Sequence, residues 1–158
     1  MRFVRFKTPD GHPALGVRQG DEVINITELG LPGTLDELLR HGAAGMASAK
    51  EAVAKATKRL PLASVQLLPP LHHPHKAFAI GLNYIDHAHE GNFTPPTQPV
   101  LFHRYPTSWV AHGVAIERPK ASTQFDYEGE IVAVIGKGGK YITKEKALDH
   151  VAGYSLFN

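Results

Sequence analysis

The stretch DYEGEIVAVIG, residues 126–136, places three acidic side chains directly before a run of aliphatic ones. The run from Ile131 to Ile135 is rich in β-branched residues, which is typical of a buried β-strand. Side chains two positions apart on a strand point to the same face, so Glu128 and Glu130 would project side by side, with Cα atoms roughly 6.5 to 7 Å apart. The segment therefore predicts a buried strand with a pair of carboxylates at its amino-terminal end.

Two like charges at that separation repel each other, and a bound divalent cation would relieve the repulsion. Hard oxygen ligands select Mg²⁺, Mn²⁺ or Ca²⁺ rather than zinc or copper. The alternative is an exposed strand end whose carboxylates are simply solvated, because exposure is the rule for glutamate. The Glu-x-Glu pattern by itself leaves both interpretations open.

A second group of chemically active side chains, His87-Ala88-His89-Glu90, follows a predicted buried strand over residues 77–81. On a helical turn, His87 and Glu90 lie three positions apart on one face, with Cβ atoms roughly 5 to 6 Å apart. The carboxylate would then orient and polarise the imidazole, which would serve as a general base near neutral pH. The alternative is a solvated surface helix, on which these residue types are common.

Composition excludes several classes of protein. The chain has 158 residues with a formal net charge of +2, and its 17 basic and 15 acidic residues are interspersed, so no nucleic-acid footprint is indicated. Without cysteine there is no disulfide, thiolate zinc site or iron-sulfur cluster. The amino terminus lacks the apolar core of a secretory signal, and no apolar run of ~18 residues follows. We expect a soluble, cytoplasmic protein that does not bind membranes.

The first 70 residues predict a small α+β accessory domain. Strands are expected over residues 2–6, 14–18 and 22–26, separated by Gly/Asp turns in an antiparallel meander. Thr34 and Glu37 form a plausible capping box for a short helix through Leu39, and a second helix is expected over residues 47–58. A short strand over residues 65–68 precedes a domain boundary near residue 71.

Residues 71–158 predict a second domain in which strands predominate. Beyond the strand over residues 77–81, strands are expected over residues 99–103, 129–135 and 152–157. The turn at Gly81 to Asn83 leads into the helical turn that carries His87. A helix capped by Thr143 is expected to run to about His150. The whole chain is thus α+β and mainly β.

Four segments resemble the fumarylacetoacetate hydrolase family in order and spacing. They are AIGLNYIDHAHE (79–90), PVLFHRYPTSWVAHG (99–113), DYEGEIVAVIGKGGKYI (126–142) and ALDHVAGYSLFN (147–158). The opening MRFVRFKTPDGHPALGVRQGDEVINITEL (1–29) is similar to the accessory domain of the same family. Four ordered motifs are far more specific than either pair of residues alone.

The resemblance implies a mixed β-roll-like catalytic domain, commonly dimeric, with a Mg²⁺ or Mn²⁺ site for 2-oxo or β-dicarbonyl acid substrates. By position, Glu128 and Glu130 match the metal ligands of the family, and His87 and Glu90 match its catalytic pair. Further positions that the resemblance places at the substrate are Asn83, Tyr84, Arg104 and Thr107. The expected activity is hydrolysis of a C–C bond in an acylpyruvate or fumarylacetoacetate-like acid. Hydration or isomerisation of a 2-oxo-alkenoate and decarboxylation of oxaloacetate remain alternatives.

Two departures from the family pattern bear on function. Arg104 stands where the family usually has lysine, which keeps the positive charge and adds bidentate reach to a carboxylate. A third metal ligand, an aspartate, normally follows the residue that matches Asn158, where the sequence stops. We therefore expect an apparently truncated catalytic domain. It would be a fragment of a longer product, a chain completed by a partner, or a non-catalytic paralogue.

Overall fold

The structure is a computed structural model that describes residues Met1–Asn158. The chain divides into two compact units, one formed by residues 1–71 and 110–158 and the other by residues 72–109. Helices and strands are both present and strands predominate, so the predicted α+β class is confirmed. No helix combines the length and the apolar character needed to cross a membrane.

A five-stranded antiparallel sheet is built from residues 1–71, in the order β4-β3-β2-β1-β5. Its strands are β1 (Arg2–Lys7), β2 (Pro13–Gln19), β3 (Glu22–Asn25), β4 (Leu60–Pro61) and β5 (Gln66–Leu68). The first three form the predicted meander, with Phe3 opposite Val17 and Val17 opposite Ile24. The short strand expected over residues 65–68 joins the free edge of β1.

Two helices connect β3 to β4. Helix α1 spans Leu35–Arg40, and the Glu37 N–H donates to Thr34 Oγ1, so the predicted amino-terminal cap is confirmed. Helix α2 spans Gly42–Lys55, whereas the sequence predicted residues 47–58. Gly45, in the part of α2 that was not predicted, lies close to α1, because a Cβ at Gly45 would be 2.6 Å from the Leu38 carbonyl oxygen. Close approach favours glycine there despite its low helix propensity.

The apolar core lies on both faces of this sheet. On the helix face, Leu15, Val17, Ile24 and Ile26 pack with residues of α1 and α2. On the opposite face, Phe6, Ala14 and Val23 form a second cluster. Period-two alternation along β2 explains the division, since successive side chains point to opposite faces.

The unit of residues 72–109 contains a hairpin and a single helix. Strands β6 (Phe78–Gly81) and β7 (Val100–His103) pair antiparallel, and helix α3 (Ile85–Glu90) follows β6. The predicted strand, turn and helical turn are thus all present. The expected burial of β6 is wrong, because Phe78 is 48% exposed and Ile80 is 42% exposed.

A second hairpin joins β8 (Glu130–Ile135) to β9 (Val151–Phe157) in antiparallel register. Lys144–His150 forms 3₁₀ turns rather than the expected helix, and Thr143 makes no side-chain cap there. The expected burial of β8 is also wrong, since Ile131 is 69% exposed and lies opposite the exposed Leu156. A two-stranded sheet cannot cover both of its own faces. Of the buried apolar side chains, Ala88 alone lies beyond residue 49.

Candidate active site

The acidic pair lies at the start of β8. Glu130 is the first residue of the strand and is half-buried on the same face as Val132 and Val134. Glu128 precedes the strand by two residues and is exposed. The end of β9 runs beside them, with Phe157 opposite Glu130. The predicted strand end with its carboxylates is therefore present, but it faces solvent rather than a core.

One side-chain hydrogen bond ties this strand end to β9. The backbone N–H of Glu128 donates to Asn158 Oδ1 at 2.9 Å. The family pattern gives Asn158 only a place before a metal ligand and does not predict its hydrogen bond to Glu128. Continuing the β8–β9 register by one residue places Asn158 opposite Gly129, next to Glu128.

The acidic pair suits a divalent cation by chemistry but not by number. Carboxylate oxygens are the hard donors that Mg²⁺ and Mn²⁺ prefer. No group of three His, Cys, Asp or Glu side chains in the 158 residues is arranged to hold a metal ion. Glu128 and Glu130 thus fit two positions in a ligand set that needs further oxygen donors.

Helix α3 positions His87 and Glu90 in the unit of residues 72–109. They occupy the third and last positions of the helix, one turn apart, and both are exposed. Between them Ala88 is fully buried, and its N–H donates to the Tyr84 carbonyl oxygen at 3.1 Å, which closes the first turn of the helix. The shared helical turn that the pair requires is therefore present, while its catalytic role remains a prediction.

The turn before α3 contains an unusual backbone conformation. Leu82 has φ of +52°, a left-handed value that a side chain with a Cβ adopts at some cost. Asn83 and Tyr84 follow it, both exposed, and Tyr84 occupies the amino-terminal cap position of α3 without a side-chain cap. The turn sends the chain from β6 into the helix and leaves both predicted substrate residues open to solvent.

Arg104 and Thr107 follow β7 in the same unit. The N–H of Arg104 donates to the Ala77 carbonyl oxygen at 3.0 Å, which continues the β6–β7 pairing by one residue. Thr107 lies in a 3₁₀ turn over Pro106–Ser108. Both side chains are exposed, as a substrate-binding role would require. The four predicted substrate residues therefore lie just after a strand of this pair: Asn83 and Tyr84 follow β6, and Arg104 and Thr107 follow β7.

Family models match nearly the whole chain. The model described as fumarylacetoacetate (FAA) hydrolase C-terminal matches residues 76–158, and the model described as Rv2993c-like, N-terminal matches residues 1–70. The mitochondrial oxaloacetate tautomerase of Xenopus laevis is 35% identical over 161 aligned positions, which cover 99% of this chain and 50% of the relative. Its human counterpart FAHD2A is also 35% identical, over 99% of this chain and 51% of the relative.

Two solved structures share the fold. The maleylpyruvate hydrolase of Sphingobium sp. SYK-6, in complex with manganese(II) and pyruvate, superposes with a TM-score of 0.78 at 29% identity, covering 99% of this chain and 57% of that one. The fumarylacetoacetate hydrolase of the psychrophile Exiguobacterium antarcticum gives 0.78 at 33% identity, covering 99% and 54%.

The motif order and these likenesses define the class as α+β proteins whose named relatives are enzymes, among them oxaloacetate tautomerases and a maleylpyruvate hydrolase. The chain belongs to the fumarylacetoacetate hydrolase family, as the four sequence segments implied. It spans about half the length of the curated relatives that it matches.

Proposed function

We propose that this chain carries part of the active site of a divalent-metal-dependent enzyme that hydrolyses a C–C bond in an acylpyruvate or related 2-oxo acid. The observation that carries the proposal is the position of Glu128 and Glu130 at the start of β8, within the family's motif order. The manganese and pyruvate bound by the related maleylpyruvate hydrolase support the same metal and substrate classes.

Mg²⁺ or Mn²⁺ would be held by Glu128, Glu130 and a carboxylate from outside these residues. Because Glu130 pairs with Phe157, the residue after Asn158 in a longer chain would lie opposite Glu128 if the pairing continued. An aspartate is expected there from the family resemblance. When bound, the cation would stabilise the negative charge that develops on a 2-oxo acid as its C–C bond breaks.

The chain's own residues would supply binding and proton transfer. His87, oriented by Glu90, would take a proton from water as the water oxygen bonds to the acyl carbon. The bond from that carbon to the neighbouring methylene would then break. Its electron pair would leave with the pyruvate part as an enolate, which a proton converts to pyruvate. Arg104 would bind the substrate carboxylate, and Asn83, Tyr84 and Thr107 would hydrogen-bond its other oxygens.

A second candidate is enol chemistry on oxaloacetate. The observation that favours it is the 35% identity to oxaloacetate tautomerases over 99% of the chain. Tautomerisation needs only a proton moved between C3 and the C2 oxygen, with no water attack, so it would use the metal site without a general base for water. Decarboxylation and 2-oxo-alkenoate hydration or isomerisation pass through related enolates.

A non-catalytic paralogue is the candidate from another functional class. It predicts no turnover under any metal condition. A homodimer, expected from the family resemblance, is a further proposal that sedimentation of the purified protein would test.

The test is an assay of the purified full-length protein with an acylpyruvate and, separately, with enol-oxaloacetate, under saturating Mg²⁺ or Mn²⁺. We expect turnover of one substrate to be abolished by chelator and by Glu128→Ala, while Glu117→Ala, a change at another exposed glutamate, leaves it intact. Turnover that survives chelator would contradict the metal requirement. No turnover of either substrate would favour the non-catalytic alternative.

His87 separates the two chemistries. If the reaction is hydrolysis, His87→Ala should lower kcat by a factor of about 10² or more, the typical contribution of a general base. The measurement is steady-state kinetics with Mg²⁺ saturating. A His87→Ala variant with full hydrolytic rate would remove the water-activation role and leave the metal role standing.

A further inference from the structure

Helix α3 ends in a closed turn directly after Glu90. The N–H of Asn92 donates to the His89 carbonyl oxygen at 3.0 Å, and the N–H of Phe93 donates to the Ala88 carbonyl oxygen at 2.8 Å. Asn92 has φ of +54°, which lies in the left-handed region. Two such bonds around one left-handed residue form a Schellman motif, which gives partners to carbonyl groups that a helix end otherwise leaves unsatisfied.

The contacts that close this turn are all local. The N–H of Gly91 donates to the His87 carbonyl oxygen at 3.2 Å. The Phe93 ring lies over Gly91, since a Cβ at Gly91 would be 2.6 Å from Phe93 Cδ2. Every one of these contacts joins residues within the range 87–93. The geometry of the helix end is therefore built by the chain immediately around the His87 and Glu90 pair.

The backbone conformation explains the residue type at position 92. Asn92 is exposed, and both bonds of the motif are made by backbone atoms, so its side chain is not needed as a partner. Asparagine and glycine tolerate left-handed angles, whereas a β-branched residue does not. Helix α3 has only six residues, and a helix of that length is not stable by itself. Its last turn would open if residue 92 left the left-handed region.

We infer that Asn92 is a positioning residue for the His87 and Glu90 pair. The inference rests on the proposed function, in which Glu90 orients the His87 imidazole. Glu90 is the last residue of α3, so it keeps helical backbone angles only while the turn after it stays closed. When the turn opens, Glu90 leaves the helix face that it shares with His87. The left-handed conformation of Asn92 thus determines how often the pair is aligned.

The first measurement is amide exchange in the ¹⁵N-labelled full-length protein. Asn92→Val puts a β-branched residue at a left-handed position, so the protection of the Phe93 amide should fall about 5- to 30-fold. Asn92→Gly adopts the same angles without this cost and should keep the protection. Tyr141→Val is the matched control, because Tyr141 also has φ of +54° but lies between β8 and β9. It should leave the Phe93 amide unchanged.

The second measurement is steady-state kinetics of the full-length protein with an acylpyruvate and saturating Mg²⁺. Asn92→Val should lower kcat about 5- to 30-fold, in step with the loss of protection, and should change KM less than kcat. Asn92→Gly should recover the wild-type rate, and Tyr141→Val should retain it. In the His87→Ala background, Asn92→Val should have no further effect, because the base that the motif positions is already absent.

The outcomes separate this inference from the proposed function. Unchanged Phe93 protection in Asn92→Val would overturn the inference, and so would lost protection with an unchanged kcat. A loss of kcat that persists in the His87→Ala background would also overturn it, because Asn92 would then act on something other than the pair. If the wild type has no turnover, or if His87→Ala keeps the full rate, the proposed function itself fails and the positioning role fails with it. Lost protection with a His87-dependent loss of kcat, both absent from Asn92→Gly and Tyr141→Val, would support it.

Discussion

Gly16 sits at a point of close approach inside the five-stranded sheet, and Gly16→Ala should destabilise the protein. A Cβ at this position would lie 2.6 Å from Val23 Cγ1 and 2.9 Å from both the Ile24 carbonyl oxygen and Phe6 Cε1. Val23 and Phe6 are fully buried, so neither side chain has free space to move into. The Ile24 oxygen belongs to the backbone of β3 and is constrained by the sheet.

The magnitude follows from these contacts. Overpacking a well-filled core typically costs about 1 to 3 kcal/mol, and a clash with backbone belongs in the upper part of that range. Replacing glycine also reduces the entropy of the unfolded chain, which contributes about 0.4 to 1 kcal/mol in the opposite direction. We therefore expect a net loss of about 1 to 2 kcal/mol in the free energy of unfolding.

The assay is urea unfolding followed by far-ultraviolet circular dichroism. The single tryptophan, Trp109, belongs to the other compact unit, so its fluorescence is a poor reporter of this sheet. Gly33→Ala is the matched control, because its added Cβ would meet only Thr27, at 3.8 Å or more, an ordinary contact. Equal unfolding midpoints for Gly16→Ala, Gly33→Ala and the wild type would refute the overpacking argument.

Three further predictions concern residues 1–71. Burial lowers the pKa of Arg5, against the opposing effect of Asp36, and Arg5 Nε has no hydrogen-bond partner. Arg5→Met should therefore leave the urea midpoint unchanged or raised, whereas Asp36→Ala should lower stability by more than about 1 kcal/mol, since it strands a buried charge. Thr34→Ala should lower the free energy of unfolding by about 1 kcal/mol, because it removes the amino-terminal cap of α1. Thr34→Ser keeps the hydroxyl and should retain most of that stability. Equal losses for the two variants in thermal unfolding would contradict the role of the hydroxyl. A hydrogen bond and a positive charge from Lys55 lower the pKa of Glu51, so the stability this pair adds is present above the unfolded-state pKa and lost as pH falls through the lower folded-state pKa. Carboxyl NMR titration of Lys55→Gln should show the Glu51 pKa back near its ordinary value, and an unchanged titration would contradict the assignment.

Local patterns predicted most elements of the fold. The meander of β1 to β3 follows from period-two alternation between Gly/Asp turns, and α1 follows from its Thr34 cap. The start of α2 was missed because residues 42–46 include two glycines, which have low helix propensity.

The candidate site was predictable in parts. Motif order located Glu128 and Glu130 at a strand end and His87 and Glu90 on one helical turn, and the structure has both elements. Burial was predicted wrongly for β6 and β8. An apolar run indicates a strand that is stable when packed against another element, but it does not show whether such an element is present.

By itself, the sequence determined the α+β class, the family, the identity of the acidic and histidine pairs, and most element boundaries. All of these depend on side-chain period, turn residues and motif order, which act over short distances along the chain. The tertiary structure decided that β5 pairs with β1, that α1 and α2 meet at Gly45, and that the Glu128 N–H donates to Asn158, 30 residues away. Such pairings are set by which surfaces meet when the chain collapses, since a hydrogen bond or a close contact between distant residues leaves no local periodicity to read.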